Sequence, residues 1–498
     1  MNKPFAGSIV LLAAIASPDA LAQRGPACVE TSADGRVTAS VCNDEPLLPS
    51  APPSPAAAGL ASTVPFGTTP DWQNNIRRPV GGLQIADMNG DGRNDLIAGC
   101  FQSNSFPPYP DWRNFIHYNT GTALELDPSW YSSDQLHTGE VQIADFNLDS
   151  FPDILAVNGG FSHSPSVIYF GTATGPNTVP GWQSTGINAW ALAAAVFDFD
   201  HDGDPDILTT NQSGITNDNF RPLYLFRNNA STGGSLQTSP AWQSQDQMIS
   251  NGVDVGDIDG DGWEDIATAK WVNFQSGIYK NNFAASSNFS RLPIWTNGDS
   301  SGGRGAGFSD VDGDGDLDLA FGMDPTVIYR NDGGNTWTPT WASTAASPGV
   351  QELRWYDIDM DGDKDLAEIN FSTGRLHIYL NNAGTINTNP DWTYDSTQVG
   401  NALAFGDING DGCPDLAIGF SGDHPIAVFY NNNCNTCPAD ITGDRNVNVN
   451  DLLATINAWG ACPAPPAACG SDIAPKGGDG QVNVNDLLAI INAWGACP

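Results

Sequence analysis

Seven times between residues 87 and 415 the chain repeats an acidic nonamer of the form Asp-x-Asp/Asn-x-Asp-Gly-x-x-Asp, and each copy runs straight into a short apolar stretch. A hard cation such as Ca²⁺ takes six to eight oxygens at about 2.3 to 2.6 Å, and a tightly curled loop supplies that many from one segment by pointing alternate residues inward. The copies open at Asp87, Asp145, Asp198, Asp257, Asp310, Asp357 and Asp407, a spacing of 47 to 59 residues. Such a period indicates a repeat architecture.

The expected donors are read copy by copy. The first offers Asp87, Asn89, Asp91, the Arg93 carbonyl and Asp95; the second offers Asp145, Asn147, Asp149, the Phe151 carbonyl and Asp153. The third has Asp198, Asp200, Asp202, the Asp204 carbonyl and Asp206, and the fourth Asp257, Asp259, Asp261, the Trp263 carbonyl and Asp265. The fifth has Asp310, Asp312, Asp314, the Asp316 carbonyl and Asp318; the sixth has Asp357, Asp359, Asp361, the Asp363 carbonyl and Asp365. The seventh has Asp407, Asn409, Asp411, the Cys413 carbonyl and Asp415. Copies three to six carry four acids each and are expected to bind most tightly. The second carries Ser150 where the turn asks for Gly and is expected to be weakest.

The spacing matches the first half of an EF-hand loop, but that loop closes with a bidentate acid at position twelve and continues as a helix. Position twelve of the first copy is Ala98, so position nine must close the loop. Strand-like runs follow, such as Asp-Leu-Ile-Ala-Gly at 95 to 99 and Asp-Leu-Ala-Phe-Gly at 318 to 322.

Two further features keep step with the loop. A Trp precedes each opening Asp by 15 or 16 residues (Trp72, Trp130, Trp182, Trp242, Trp295, Trp341, Trp392), and a later strand ends in Asn, as at Asn331, Asn381 and Asn431. Units of several short strands repeated seven times predict an all-β, seven-bladed propeller. These phased motifs resemble the FG-GAP/VCBS repeat family, the propeller type of integrin alpha chains, over residues 66 to 433. The resemblance implies a protein or cell-surface glycan ligand met by loops at one end of the ring, and hence adhesion or recognition.

Residues 434 to 498 hold two near-copies, ending Val447-Asn448-Val449-Asn450-Asp451-Leu452-Leu453 and Val482-Asn483-Val484-Asn485-Asp486-Leu487-Leu488. Both continue with helical periodicity, and Leu452, Leu453, Ile456 and Trp459 are expected to share one face. Here position twelve is acidic. Counting back gives Asp440, Thr442, Asp444, the Asn446 carbonyl, Asn448 and Asp451 in the first loop, and Asp472, Asp479, the Gln481 carbonyl, Asn483 and Asp486 in the second. The pattern resembles the tandem repeats of a type I dockerin, which implies a small α-helical domain and docking to a cohesin-like partner through Val449, Asn450, Val484, Asn485 and the helices that follow.

The net charge of −38, from 57 acidic and 19 basic residues, argues against nucleic acid or anionic membrane surfaces as partners. Residues 1 to 22 read as a signal peptide, no later run is long and apolar enough to span a bilayer, and a secreted monomer is expected. Nine cysteines suit that compartment. Cys28 and Cys42 flank a hairpin-like segment turning at Asp34-Gly35, a Pro/Ala-rich linker runs from Pro46 to Gly59, and Cys437 with Cys462 and Cys469 with Cys497 are placed to staple the tail, leaving Cys434 unassigned. Cys100 and Cys413 fall in neighbouring blades of a closed ring at positions that differ by most of a strand, which disfavours a bridge.

Catalysis finds little support: the six histidines show no metal-ligand spacing and no Gly-x-Ser-x-Gly elbow appears. A polysaccharide-degrading enzyme of a multi-enzyme assembly and a structural matrix protein stand as alternatives. The phased tryptophans are expected in the core. Trp112, Trp190, Trp263, Trp271, Trp337 and Trp355, with Tyr109 and Tyr131, break that phase and are the expected recognition surface.

Overall fold

The computed structural model describes residues 64–431 apart from 102–110, 160–163, 187–189, 213–220, 247–248, 272–273, 300–301, 346–348, 397 and 423. It also describes the strands Ala27–Thr31 and Val37–Val41 and, in the tail, residues 439, 441–442, 446–462, 471–473 and 481–496. The chain divides into two compact units, residues 1–61 and 62–498. In the first unit the two strands pair antiparallel with Cys28 opposite Ser40, as a hairpin turning near Asp34-Gly35 requires. Its turn, Cys42, the signal-like segment and the linker lie outside the described residues.

Seven four-stranded antiparallel sheets form the blades of the second unit. In each, the acidic loop joins the innermost strand to the next: Val80–Ala86 to Asp95–Cys100 in blade one, Gly305–Ser309 to Asp318–Gly322 in blade five. The second strands are buried at every described position in blades one, two, four, five, six and seven. A strand covered on both faces is largely apolar, and that is why these stretches read as near-continuous hydrophobic runs, with buried exceptions such as Lys270 and Glu368. The apolar side chains gather between neighbouring blades, for instance Met88, Ile97 and Ile116 of blade one against Val141, Ile154 and Ala156 of blade two. Around the axis the innermost strands approach so closely that a Cβ on Gly81 would stand 2.0 Å from the Thr138 carbonyl oxygen.

The ring closes with a strand from its own beginning. Trp72 and Gln73 pair with Val428 and Ala427, so the outermost strand of blade seven comes from the N-terminal side of blade one. Every phased Trp lies likewise in the outer strand of the blade preceding its acidic loop, and a repeat counted from Trp straddles two blades. Trp72, Trp130, Trp182 and Trp242 are buried, and Trp295, Trp341 and Trp392 are partly buried against core clusters. Several indoles donate across the blade boundary: Trp72 Nε1 to Leu124 O at 3.2 Å, Trp130 Nε1 to Pro176 O at 2.8 Å.

Among the described residues the out-of-phase aromatics form no exposed set, contrary to the sequence expectation. Trp337 is buried, Trp355 packs against the core and donates to Gly307 O at 3.1 Å, and Trp112, Trp263, Trp271 and Tyr131 are half-buried. Tyr109 and the Trp190 side chain lie outside the described residues. Cys100 is a buried free thiol and Cys413 is disulfide-bonded, so the two do not bridge each other. Cys462 is also disulfide-bonded; Cys434, Cys437, Cys469 and Cys497 lie outside the described residues.

The tail carries two nine-residue helices, Val449–Asn457 and Val484–Asn492. The strand before the first helix pairs with the strand after the second, and the strand after the first pairs with the strand before the second, so the halves are related by an internal pseudo-twofold. Leu452 turns toward a small core with Ala439, Val447 and Ile490. It therefore leaves the face that Leu453, Ile456 and Trp459 share.

Candidate metal centres in the acidic loops

Each acidic loop is folded by its own backbone before any ion is considered. The opening Asp accepts from the amides that follow it: in the first copy Gly90 N and Asp91 N reach Asp87 Oδ1 at 2.8 and 3.1 Å, and Gly92 N reaches Oδ2 at 2.7 Å. To present those amides, positions four and six both take positive φ, 74° at Gly90 and 82° at Gly92. The second copy holds the same shape with Leu148 at 59° and Ser150 at 72°, a left-handed conformation that side chains disfavour. Ser150 N still reaches Asp145 Oδ2 at 2.7 Å. The departure from Gly therefore costs strain without changing the loop.

The closing Asp at position nine is buried in all seven copies. Asp95 shows why. Its Oδ2 accepts from Met88 N at 3.0 Å, within the loop, and its Oδ1 from Asn119 N at 2.8 Å, at the end of the blade's third strand. The same pair of bonds recurs at Asp318, from Val311 N and Asn331 N, at 3.0 and 2.9 Å. One carboxylate thus pins the loop to the far side of its own sheet. Burial pushes these acids up against the pull of the amides, to about 6 at Asp153, Asp318 and Asp415, about 7 at Asp95, Asp206 and Asp265, and about 8 at Asp365. A nearby cation is what would hold such a group ionised.

The strand-ending Asn has a second task that its sequence position alone did not disclose. Asn331 Nδ2 donates to Ile258 O, the second residue of the preceding blade's acidic loop, at 2.8 Å. Asn381 reaches Val311 O at 2.9 Å, Asn431 reaches Ile358 O at 2.9 Å, and Asn119 reaches Ile408 O at 2.6 Å across the seam of the ring. Blade two has Gly171 at the corresponding place, where only its amide meets Asp153. The signal was visible as a recurring terminal Asn; the partner was not, because it lies some 70 residues away in another repeat.

Three carboxylates converge in each of copies three to six, one oxygen of each within 4.8 Å of the others: Asp198, Asp200 and Asp206; Asp257, Asp259 and Asp265; Asp310, Asp312 and Asp318; Asp357, Asp359 and Asp361. These are the four copies in which the sequence places four acids. Basic side chains enter some of the seven loops. Lys280 Nζ lies 2.6 Å from Asp259 and 2.8 Å from Asp261, Arg227 pairs with Asp200, and Arg93 with Asp91. Asp200 is otherwise closed off, its side chain 4% exposed and its Oδ1 buried with no hydrogen-bond partner. A buried oxygen without a donor, set among other carboxylates, fits a hard cation, and the oxygen-only donor set of copies three to six fits Ca²⁺ or Mg²⁺ better than a softer metal.

In the tail the position-twelve acids are buried and sit in capping boxes at the helix starts. Asp451 Oδ2 accepts from Asn448 N at 2.8 Å, and its Oδ1 from Thr442 N and Oγ1, both at 2.9 Å. In the second half Asp486 Oδ1 accepts from Ile473 N at 2.7 Å, and Asp472 Oδ2 lies 3.3 Å from Sγ of the disulfide-bonded Cys462. Asp440, Asp444 and Asp479 lie outside the described residues.

FG-GAP-like repeats are matched at residues 145–209, 310–368 and 357–418. No curated protein matches the chain. Among solved structures it is similar to BBS1N in complex with ARL6DN, in a crystal soaked with lead, at 12% identity and a TM-score of 0.49, over 74% of this chain and 98% of that one. A mercury-soaked crystal of the same complex gives a TM-score of 0.47 at the same identity and coverage. The chain is a seven-bladed β-propeller that carries FG-GAP-like repeats.

Proposed function

We propose that this is an exported recognition protein: a calcium-stapled propeller displays a binding surface for a protein or cell-surface glycan, and a dockerin-like tail attaches it to a cohesin-type domain. The observation that carries the reading is a duplicated apolar surface on the tail. Val449, Leu453 and Ile456 on the first helix with Trp459 just past its end, and Val484, Leu488 and Ile491 on the second with Trp494 just past its end, are each 47 to 54% exposed. Large apolar side chains in a contiguous stripe on a soluble surface mark an interaction site. Two equivalent stripes related by a pseudo-twofold suit one partner that engages either half.

In the propeller, Ca²⁺ would be held by the opening acid, positions three and five, the position-seven carbonyl and the closing acid. There it would neutralise carboxylates that burial leaves poorly solvated. The ion's role is structural and the recognition surface lies on the loops of the ring.

Calorimetric titration of the full chain with a type I cohesin domain tests the docking half. Trp459→Ala and Trp494→Ala are each expected to leave binding within a few-fold and together to abolish it. Absence of binding by the unmodified chain across a cohesin panel would remove the docking role. Retention on a glycan and protein array in calcium, with released sugar measured in parallel, tests the propeller half: release would make it an enzyme.

A further inference from the structure

The innermost strands begin around a cavity of about 60 Å³ on the propeller axis, lined by Gly81, Gly139, Asn251, Arg304, Gln351 and Arg354 among others. Gly81, Gly139, Asn251, Arg304 and Gln351 stand at or next to the starts of their strands, with Arg354 further along its own, whereas the acidic loops follow the strands' ends, so the cavity lies toward the opposite mouth of the ring.

Two arginines meet there in contrasting surroundings. Arg354 is answered by Glu352 at 2.5 Å and Glu140 at 3.3 Å. Arg304 has no carboxylate partner among the described residues. Its guanidinium carbon lies 4.9 Å from the ring centre of Trp271 and 4.7 Å from that of Phe371, and Nη1 donates to Gln351 Oε1 at 2.5 Å. Burial lowers its pKa only to about 10, and it stays charged at neutral pH. Beside it, Asn251 Oδ1 is buried with no hydrogen-bond partner among the described residues.

Rings over the guanidinium leave ligands to approach in its plane, where the N–H groups not taken by Gln351 can match a carboxylate. We propose that Arg304 and the Asn251 amide receive a single carboxylate of a polypeptide ligand at the axial mouth of the propeller. The cavity admits one such group. A net charge of −38 repels polyanions, which favours a lone acidic side chain or chain terminus on an otherwise uncharged segment over an acidic polysaccharide. The proposal deepens the recognition reading of the propeller and rests on it.

The test titrates the calcium-loaded full chain with N-acetylglutamate α-methylamide, with N-acetylglutamine α-methylamide as the uncharged control, and reads saturation transfer from aromatic protons. Saturable transfer to the glutamate compound at millimolar concentration, and none to the glutamine compound, is expected. Arg304→Gln should weaken binding at least tenfold and Arg304→Lys should restore it in part, because lysine keeps the charge without the fork. Equal transfer from both compounds, or no transfer in the unmodified protein, overturns the proposal, and neither result depends on a variant that folds. A uronate oligosaccharide binding more tightly than the glutamate compound overturns the choice of ligand. Array retention unchanged in Arg304→Gln would leave recognition standing and remove Arg304 from it.

Discussion

The acids that close the propeller loops and the acids that close the tail loops do the same mechanical job from opposite electrostatic positions. Asp318 and Asp451 are both buried, and each accepts hydrogen bonds from backbone amides on two sides. In the propeller burial wins and raises the carboxyl. At Asp451 burial also pushes up, but the Asn448 amide and the Thr442 amide and hydroxyl outweigh it and hold the group below its ordinary value. The difference follows from what comes next in the chain. A closing acid at N3 of a helix joins a capping box and meets the helix's unpaired amides, whereas one at the first residue of a central strand is sealed between blades. Local hydrogen bonds favour the ionised tail acid, whereas the propeller acids would need a cation to favour theirs.

Removing calcium should therefore separate the two regions most widely. If four sites each sit at about ten times their dissociation constant, chelation withdraws about 6 kcal/mol from the propeller, and its melting temperature should fall by roughly 10 °C in calorimetry. The tail transition should move less. Equal shifts would break the comparison.

Acidity sharpens it further. The closing acids have folded-state values of about 6 to 8 against an ordinary 3.8. Their contribution is present below about pH 4 and lost as pH rises through 6 to 8. The chelated propeller should melt at a higher temperature at pH 5 than at pH 8, and saturating calcium should flatten that difference. A calcium-free profile already flat over this range would mean that burial is not what sets these acids apart.

A position-by-position contrast comes next. Asp365→Ala strands the Ile358 and Asn381 amides and should cost about 2 to 5 kcal/mol in denaturant unfolding with or without calcium. Asp314→Ala, at the exposed fifth position, should cost stability only when calcium is present. Asn331→Ala, which removes the latch to Ile258, should cost about 1 kcal/mol. Deleting residues 434–498 should leave the propeller transition where it was; a large shift would make tail and propeller one cooperative unit.

Much of this was legible in the residues. Seven loops with seven following strands gave the blade number, since each nonamer is local and its geometry is written in nine consecutive positions. What escaped is long-range. The Asn latches join residues in different repeats, the closing carboxylates reach across their own sheet, and the phased Trp belongs to the blade before its loop. Composition misled on the out-of-phase aromatics. Trp337 and Trp355 look like display residues because they break the repeat, but local packing between blades claims them. Arg304 gave no signal at all, because its ring partners come from blades four and six and only the closed ring assembles them.

That closure has a consequence for how the molecule is made. Trp72 is among the first propeller residues to leave the ribosome, yet its partner Val428 is among the last. For nearly the whole of synthesis the two-residue strand that will seal blade seven has no sheet to join, and blade one presents an open flank to whatever is nearby, including a second nascent chain. Both the seating of that strand and the Asn119 latch must wait for blade seven. A ring sealed by its own beginning cannot lose its open edge until Val428 has been made.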